Sequence, residues 1–315
     1  MRSINRKRIT EYFFAFMAVL LLLPFFGCSK GNTGIVSSGN AQNTAKRDNT
    51  PRVLTPSKSG TGVFENEYIS VDTGNAAEGY IIASYKGSNG KVKFRLQGEN
   101  GVTYTYDLAN DDAVLPLASG SGSYHMECFE NIEGDRYATV FAEDVTFASV
   151  DEFKPYLYPN KYISFTETSS IVPKASEVVS SACSDLDAVA SVYEFVSKNI
   201  TYDYNLAKTV ESGYSPNVDR VLSEKTGICF DYAALMTAML RSQGIPTRLE
   251  VGYAADAYHA WISTYITDVG WVNGMIEFDG HSWTLMDPTF AANSGEAELK
   301  EFIGNGNNYV TKYIY

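Results

Sequence analysis

The stretch that decides the reading is Gly227-Ile228-Cys229-Phe230-Asp231-Tyr232-Ala233, followed by the apolar run 233–240 and then by Gly244 and Pro246. A glycine just past the last helical residue and a proline shortly after it are stop signals. The spacing therefore predicts a buried helix with Cys229 at or near its N-terminus. Unpaired backbone N–H groups and the positive end of the helix dipole both favour a thiolate there. A lone cysteine beside an apolar run is more often a packed core residue, so any chemistry depends on partners elsewhere in the chain.

Beyond the helix, residues 247–253, 259–265, 271–278 and 282–286 read as strands separated by turns such as Asp268-Val269-Gly270 and Asp279-Gly280. Residues 309–315 predict a last strand. Before Cys229, Ser184 with Asp187 three positions on is a capping box. It opens an amphipathic helix through Leu186, Val189, Ala190, Tyr193, Val196 and Ile200. An extended segment at 200–204, a surface loop at 205–218 and a short helical turn at 219–222 lead back to Cys229. A helix followed by a meander of strands is an α+β plan.

Four signatures in this region belong together. Gly227-x-Cys229-x-Asp231-Tyr232-Ala233, Gly244-Ile245-Pro246-x-Arg248, His259-Ala260-Trp261 and Trp283-x-x-x-Asp287-Pro288-Thr289 resemble the core of the transglutaminase-like superfamily over residues 186–292. The resemblance implies a papain-like α+β fold and a Cys-His-Asp triad: Cys229 as nucleophile, His259 as base and Asp287 as the orienting carboxylate. The chemistry explains those types. A thiol attacks well only when ionised, an imidazole takes its proton and returns one to the leaving amine, and a carboxylate fixes the imidazole tautomer. The Cys229 N–H at the helix start is a candidate oxyanion donor, and Tyr202, just upstream in the fold, is a candidate second one. Asp231 is expected to cap the helix start or to pair there, with Arg248 as the suggested partner. Trp261 is expected to pack in the core or to wall the site. His281 is the rival base, set aside because the resemblance places the base in the His-x-Trp strand.

Residues 64–150 change to period two. Residues 80–85, 92–96, 102–106, 124–129 and 137–145 read as short strands joined by Asn-Gly and Gly-Asp turns, which predicts a small antiparallel β-sandwich. No catalytic constellation stands out in it. His125 lacks a second ligand-type residue at metal spacing, and Gly120 and Gly122 precede no helix. Residues 150–173 read as an aromatic connector, and 151–315 as the transglutaminase-like domain.

The N-terminus carries Arg2, Arg6, Lys7 and Arg8, then an apolar stretch at 12–26, then Gly27-Cys28. That order is an export signal, and the stretch is short for a membrane span. The glycine before the cysteine resembles a bacterial lipobox. The resemblance implies that residues 1–28 form a lipoprotein signal with Cys28 lipidated; the alternative is an uncleaved signal anchor, and either reading places the protein on the extracytoplasmic face of the cell membrane. Residues 29–63, rich in Ser, Gly, Asn and Thr, predict a flexible tether.

A formal net charge of -12 argues against a nucleic-acid partner, which needs basic patches. Three histidines without paired Cys or His spacing predict no metal site, and a triad needs no cofactor. Of four cysteines, Cys128 and Cys183 could form a disulfide or stay as thiols. The expectation is a lipid-anchored cysteine enzyme acting on amide bonds of a peptide or protein substrate, cell-wall peptide included, with water or an amine as acceptor. The alternative is a non-catalytic surface binding protein that uses the core as a scaffold.

Overall fold

The computed structural model describes residues 47–108, 112–254, 257–267, 269–278, 283–285 and 309–315. Cys28, His281 and Asp287 lie outside them. The first region builds two antiparallel four-stranded sheets. One contains β1 (Val63–Glu65), β2 (Ile69–Asp72), β3 (Tyr80–Tyr85) and, beyond the next two strands in sequence, β6 (Asp112–Pro116). The other contains β4 (Val92–Gly98), β5 (Thr103–Leu108), β7 (Gly122–Glu133) and β8 (Arg136–Phe147) in the order β5-β4-β7-β8. The alternation predicted for β4 is kept: Val92, Phe94 and Leu96 are buried while Lys93 and Arg95 are half-buried on the other face. Ile69, Val71, Ile81 and Leu115 of one sheet and Phe94, Leu96 and Met126 of the other belong to one hydrophobic core.

The second region packs helices on a sheet. They are α1 (Ile171–Val178), α2 (Asp185–Asn199), α3 (Tyr204–Thr209), α4 (Val218–Glu224) and α5 (Cys229–Ser242). Two-residue strands β9 (Thr201–Tyr202) and β10 (Thr226–Gly227) pair in parallel. The sheet runs in the order β14-β13-β12-β11-β15, from β11 (Thr247–Ala254), β12 (Ala257–Ile266), β13 (Gly270–Phe278), β14 (Trp283–Leu285) and β15 (Tyr309–Ile314), all antiparallel. The α+β expectation, with a strand-rich region before a helix-on-sheet core, is what the structure shows.

Helix α5 is the hub. Residues 231–242 are all buried, and the helix touches α1, α2, α4, β11 and β12. Such a helix reads as apolar on every side because it has no solvent face. Its one buried cation, Arg241, spends its guanidinium on main-chain oxygens of Tyr158, Thr247 and Tyr315 at 2.6–3.0 Å. Burial lowers it to about 9. The arginine thus ties the connector, the start of β11 and the end of β15 to the last turn of the hub.

Three segments differ from the sequence reading. Inside the stretch expected to be a tether, residues 47–52 lie against the helix-on-sheet core and residues 57–62 bond to the first region. Arg47 pairs with Asp185 at 2.9 Å and donates to the Gln243 carbonyl, and the Arg52 N–H donates to the Ser242 carbonyl. Polar bonds of two arginines anchor a segment whose composition offers little apolar surface. The loop expected at 205–218 contains α3, whose cap is Asp203 accepting from the Asn205 and Leu206 N–H groups. Helix α1 was hidden by Pro173, which sits in the first turn, where its missing N–H costs nothing.

Candidate active site

Cys229 occupies the first position of α5, after Ile228 in an extended conformation. Ile228 has no side-chain acceptor, so the cap comes from inside the helix: Asp231 Oδ2 accepts from the Ile228 N–H at 2.9 Å. Asp231 is fully buried. Its other oxygen accepts from the Tyr214 hydroxyl at 2.6 Å and lies 3.5 Å from Arg220 Nη2, which itself donates to the Tyr214 hydroxyl at 2.9 Å. The partner of Asp231 is therefore Arg220, and the suggested Arg248 is elsewhere. The Arg248 guanidinium lies over the Trp271 ring at 3.7 Å and the Tyr156 ring at 4.6 Å. Gly227 makes the cap feasible, since a Cβ there would stand 2.6 Å from Asp231 Cβ.

Tyr202 arrives through β9. Thr201 donates its N–H to the Lys225 carbonyl at 2.8 Å, and Asp203 donates to the Gly227 carbonyl at 2.9 Å. Tyr202 is thereby in register with Gly227, two residues before the thiol. Its hydroxyl faces both the backbone N–H and the thiol of Cys229. Burial, then the neighbouring thiol, pushes the Tyr202 phenol up to about 12, so it is a proton-bearing donor at neutral pH.

His259 comes from β12, opposite Gly252 of β11. It is 8% exposed, and burial lowers its imidazole to about 4. The next residue, Ala260, brings its N–H to the Cys229 sulfur. Gly252 is required on the far side of β11, because a Cβ there would stand 2.0 Å from the Val310 carbonyl oxygen of β15. Trp261 is 2% exposed and sits opposite Glu250, a core position rather than a wall of the site. Of the supporting residues, Tyr202 meets the thiol, Asp231 acts one turn behind it, and Trp261 packs beneath.

The Cys229 thiol lies above its ordinary value, chiefly because it is buried; the N–H groups of Ala260 and Phe230 pull it down and the Asp231 carboxylate pushes it up. Burial therefore favours the neutral form of both groups, against the free thiolate that the helix start alone suggests. Cys229 and His259 open onto one cleft of about 580 Å³. Tyr162, Tyr202, Tyr214, Tyr258 and Phe230 supply much of its wall. The sequence reading missed Tyr214. Its only signal was an aromatic residue in a polar loop.

Cys128 is a free, fully buried thiol, so no Cys128–Cys183 bridge forms; burial pushes the thiol up to about 12. His125 contacts Asp144 at 2.7 Å and Glu127 at 3.6 Å on the outer face of the first region, and Asp144 raises it. No group of three His, Cys, Asp or Glu suited to a metal occurs among the described residues.

Residues 173–274 match the sequence model of the transglutaminase-like superfamily. This core belongs to that superfamily. The chain is 26% identical over 222 residues to the UPF0252 protein MJ1282 of Methanocaldococcus jannaschii, covering 63% of this chain and 62% of that one. It is 29% identical over 106 residues to the uncharacterized protein YebA of Bacillus subtilis, covering 27% of this chain and 14% of that one. It therefore spans less than two thirds of either relative. Solved structures superpose weakly. The periplasmic domain of TgpA from Pseudomonas aeruginosa gives a TM-score of 0.29 at 13% identity, covering 70% of this chain and 94% of that one. Red sea bream transglutaminase gives 0.29 at 14% identity, covering 67% and 48%.

Proposed function

We propose that this transglutaminase-like protein is a cysteine enzyme that transfers or hydrolyses acyl groups at amide bonds of peptides or proteins. It would act on the extracytoplasmic face of the membrane, anchored by lipid on Cys28. The observation that carries the reading is the meeting of a helix-start thiol, the Tyr202 hydroxyl and the His259 strand in one cleft.

The steps follow from the groups present. His259 takes the Cys229 proton as the sulfur attacks the substrate carbonyl carbon, since the buried thiol does not ionise alone. The developing oxyanion is met by the Tyr202 hydroxyl and by the Cys229 N–H, which turns to it from the Tyr202 oxygen. The imidazolium, steadied by the Asp287 carboxylate, returns the proton to the leaving amine as the C–N bond breaks. A thioester remains. Water or an amine, giving its proton to His259, attacks it and frees the thiol.

The test is alkylation of the purified protein with iodoacetamide at neutral pH, read at each cysteine by mass spectrometry. Cys229 should react at least about tenfold faster than Cys128, whose thiol is buried and high, and His259→Ala should remove the advantage. Equal slow labelling at both sites would refute the enzyme reading. Metabolic labelling with a fatty-acid analogue should mark the wild type and not Cys28→Ser.

A further inference from the structure

The cleft is not built by the core alone. Lys93 of β4 and Thr105 and Asp107 of β5 stand on its wall beside Tyr162, Tyr313 and Tyr315. Strand β5 is the edge of its sheet. Its buried face carries Tyr104 and Tyr106, which cross to the core. Tyr106 packs on Tyr162 at 5.8 Å, and Tyr162 packs on Phe230, the neighbour of Cys229, at 5.5 Å. The opposite face presents Asp107, whose Oδ1 holds Lys93 Nζ at 3.0 Å. Its Oδ2 meets the loop before α4: a Cβ on Gly213, which has φ +89, would stand 2.6 Å from that oxygen. The loop is pinned at its next residue by the Tyr214–Asp231 bond. Edge strand and loop therefore meet across the cleft, and both ends of that contact are held.

The charges on this wall are unequal. Among the described residues lining the cleft, the basic and acidic side chains are Lys93, Asp107 and Glu211. Lys93 is occupied by Asp107 and lies 5.8 Å from the Tyr137 ring. Glu211, on the pinned loop, has no ion pair among the described residues. A surplus carboxylate on a cleft walled with tyrosines suits an ammonium or guanidinium, through charge and through the ring quadrupole. It disfavours a carboxylate, which would meet two like charges.

We propose that the first region reads the substrate: the Lys93–Asp107 pair of the β4–β5 edge and Glu211 of the facing loop form a subsite on the Cys229 cleft that accepts a cationic residue of the peptide chain and rejects an acidic one. This rests on Cys229 being the reacting thiol. It gives the sandwich a direct part in specificity.

The test uses the full chain and three methanethiosulfonate probes of similar size: neutral methyl, cationic trimethylammonium-ethyl and anionic sulfonatoethyl. Each labelling rate at Cys229 is divided by the rate for a small free thiol, which removes intrinsic reactivity. The cationic-to-anionic ratio should be about tenfold at low ionic strength and shrink in about 1 M salt. It should fall toward one in Asp107→Asn/Glu211→Gln and rise in Lys93→Met. A peptide-amide series with Lys, Gln or Glu flanking the amide should rank in that order in kcat/KM. A ratio unchanged in the double variant, with near-UV circular dichroism matching wild type, overturns the subsite, and so does a flat peptide series. Failure of the nucleophile reading is separate: His259→Ala would then leave the neutral-probe rate unaltered.

Discussion

At Cys229 two effects oppose each other. The helix start favours the thiolate by about 0.3–1 kcal/mol, and burial disfavours it by more, since the thiol ends above its ordinary value. The deprotonating group must therefore be local, and His259 stands on the same cleft. Burial alone would hold His259 at about 4, largely unable to keep a proton at neutral pH. A carboxylate paired with the imidazole raises it. If Asp287 is that carboxylate, His259 in the wild type titrates well above 4, and Asp287→Asn brings it down toward 4. With three histidines in the chain, imidazole NMR titration resolves this, and coincident curves would exclude the pairing. Tyr202→Phe removes an oxyanion donor and keeps the ring. It should lower kcat about 100-fold or more while KM moves little. The types and order of Cys229, His259 and Asp287 were legible because chemistry fixes them. The partner of Asp231 was not, since Arg220, Arg241 and Arg248 all flank it in sequence and only the path of α4 brings Arg220 to it.

Among the elements, the start of α5 depends on an unusual cap. Serine, threonine, asparagine or aspartate commonly fills the cap position, and here Ile228 does; the carboxylate three residues on takes over half of the capping box. Asp231→Ala removes that bond and strands the Tyr214 hydroxyl. The cost should be about 2–4 kcal/mol in the urea-unfolding free energy. Asp231→Asn, which keeps an acceptor, should cost less. Gly227→Ala forces its new methyl onto Asp231 and should cost about 1–3 kcal/mol. If both Asp231→Ala and Gly227→Ala leave the urea midpoint unchanged, the cap carries no weight. Long periodic elements such as α2 and β4 were readable from spacing. The short α3 was not, because six residues carry no period and its start is set by Asp203; β9 was read as extended, but its pairing of Tyr202 with Gly227 has no signal in the sequence.

At the scale of the molecule, the expected sandwich and core are joined by a cluster of tyrosine rings. Tyr104 and Tyr106 of β5 pack on Tyr315 at 5.8 and 6.2 Å, and Tyr104 on Tyr313 at 5.7 Å. Tyr315 in turn packs on Tyr162 at 4.7 Å and exchanges main-chain hydrogen bonds with Leu249. Reading each strand by its own period cannot reveal such a cluster, since its members come from as far apart as Tyr104 and Tyr315 and each looks like an ordinary inward aromatic. The cluster lies beneath the cleft, so stability of the joint and shape of the site are one property. Tyr106→Ala, a fully buried ring lost, should cost about 3–5 kcal/mol. It should also slow Cys229 labelling relative to Tyr85→Phe, a change at the hydroxyl of a tyrosine that bonds Glu130 inside the first region. Tyrosine near-UV circular dichroism and far-UV circular dichroism should report one coincident unfolding transition. Two separated transitions, with Tyr106→Ala moving only the one that belongs to the strands, would mean that the rings touch without coupling the regions.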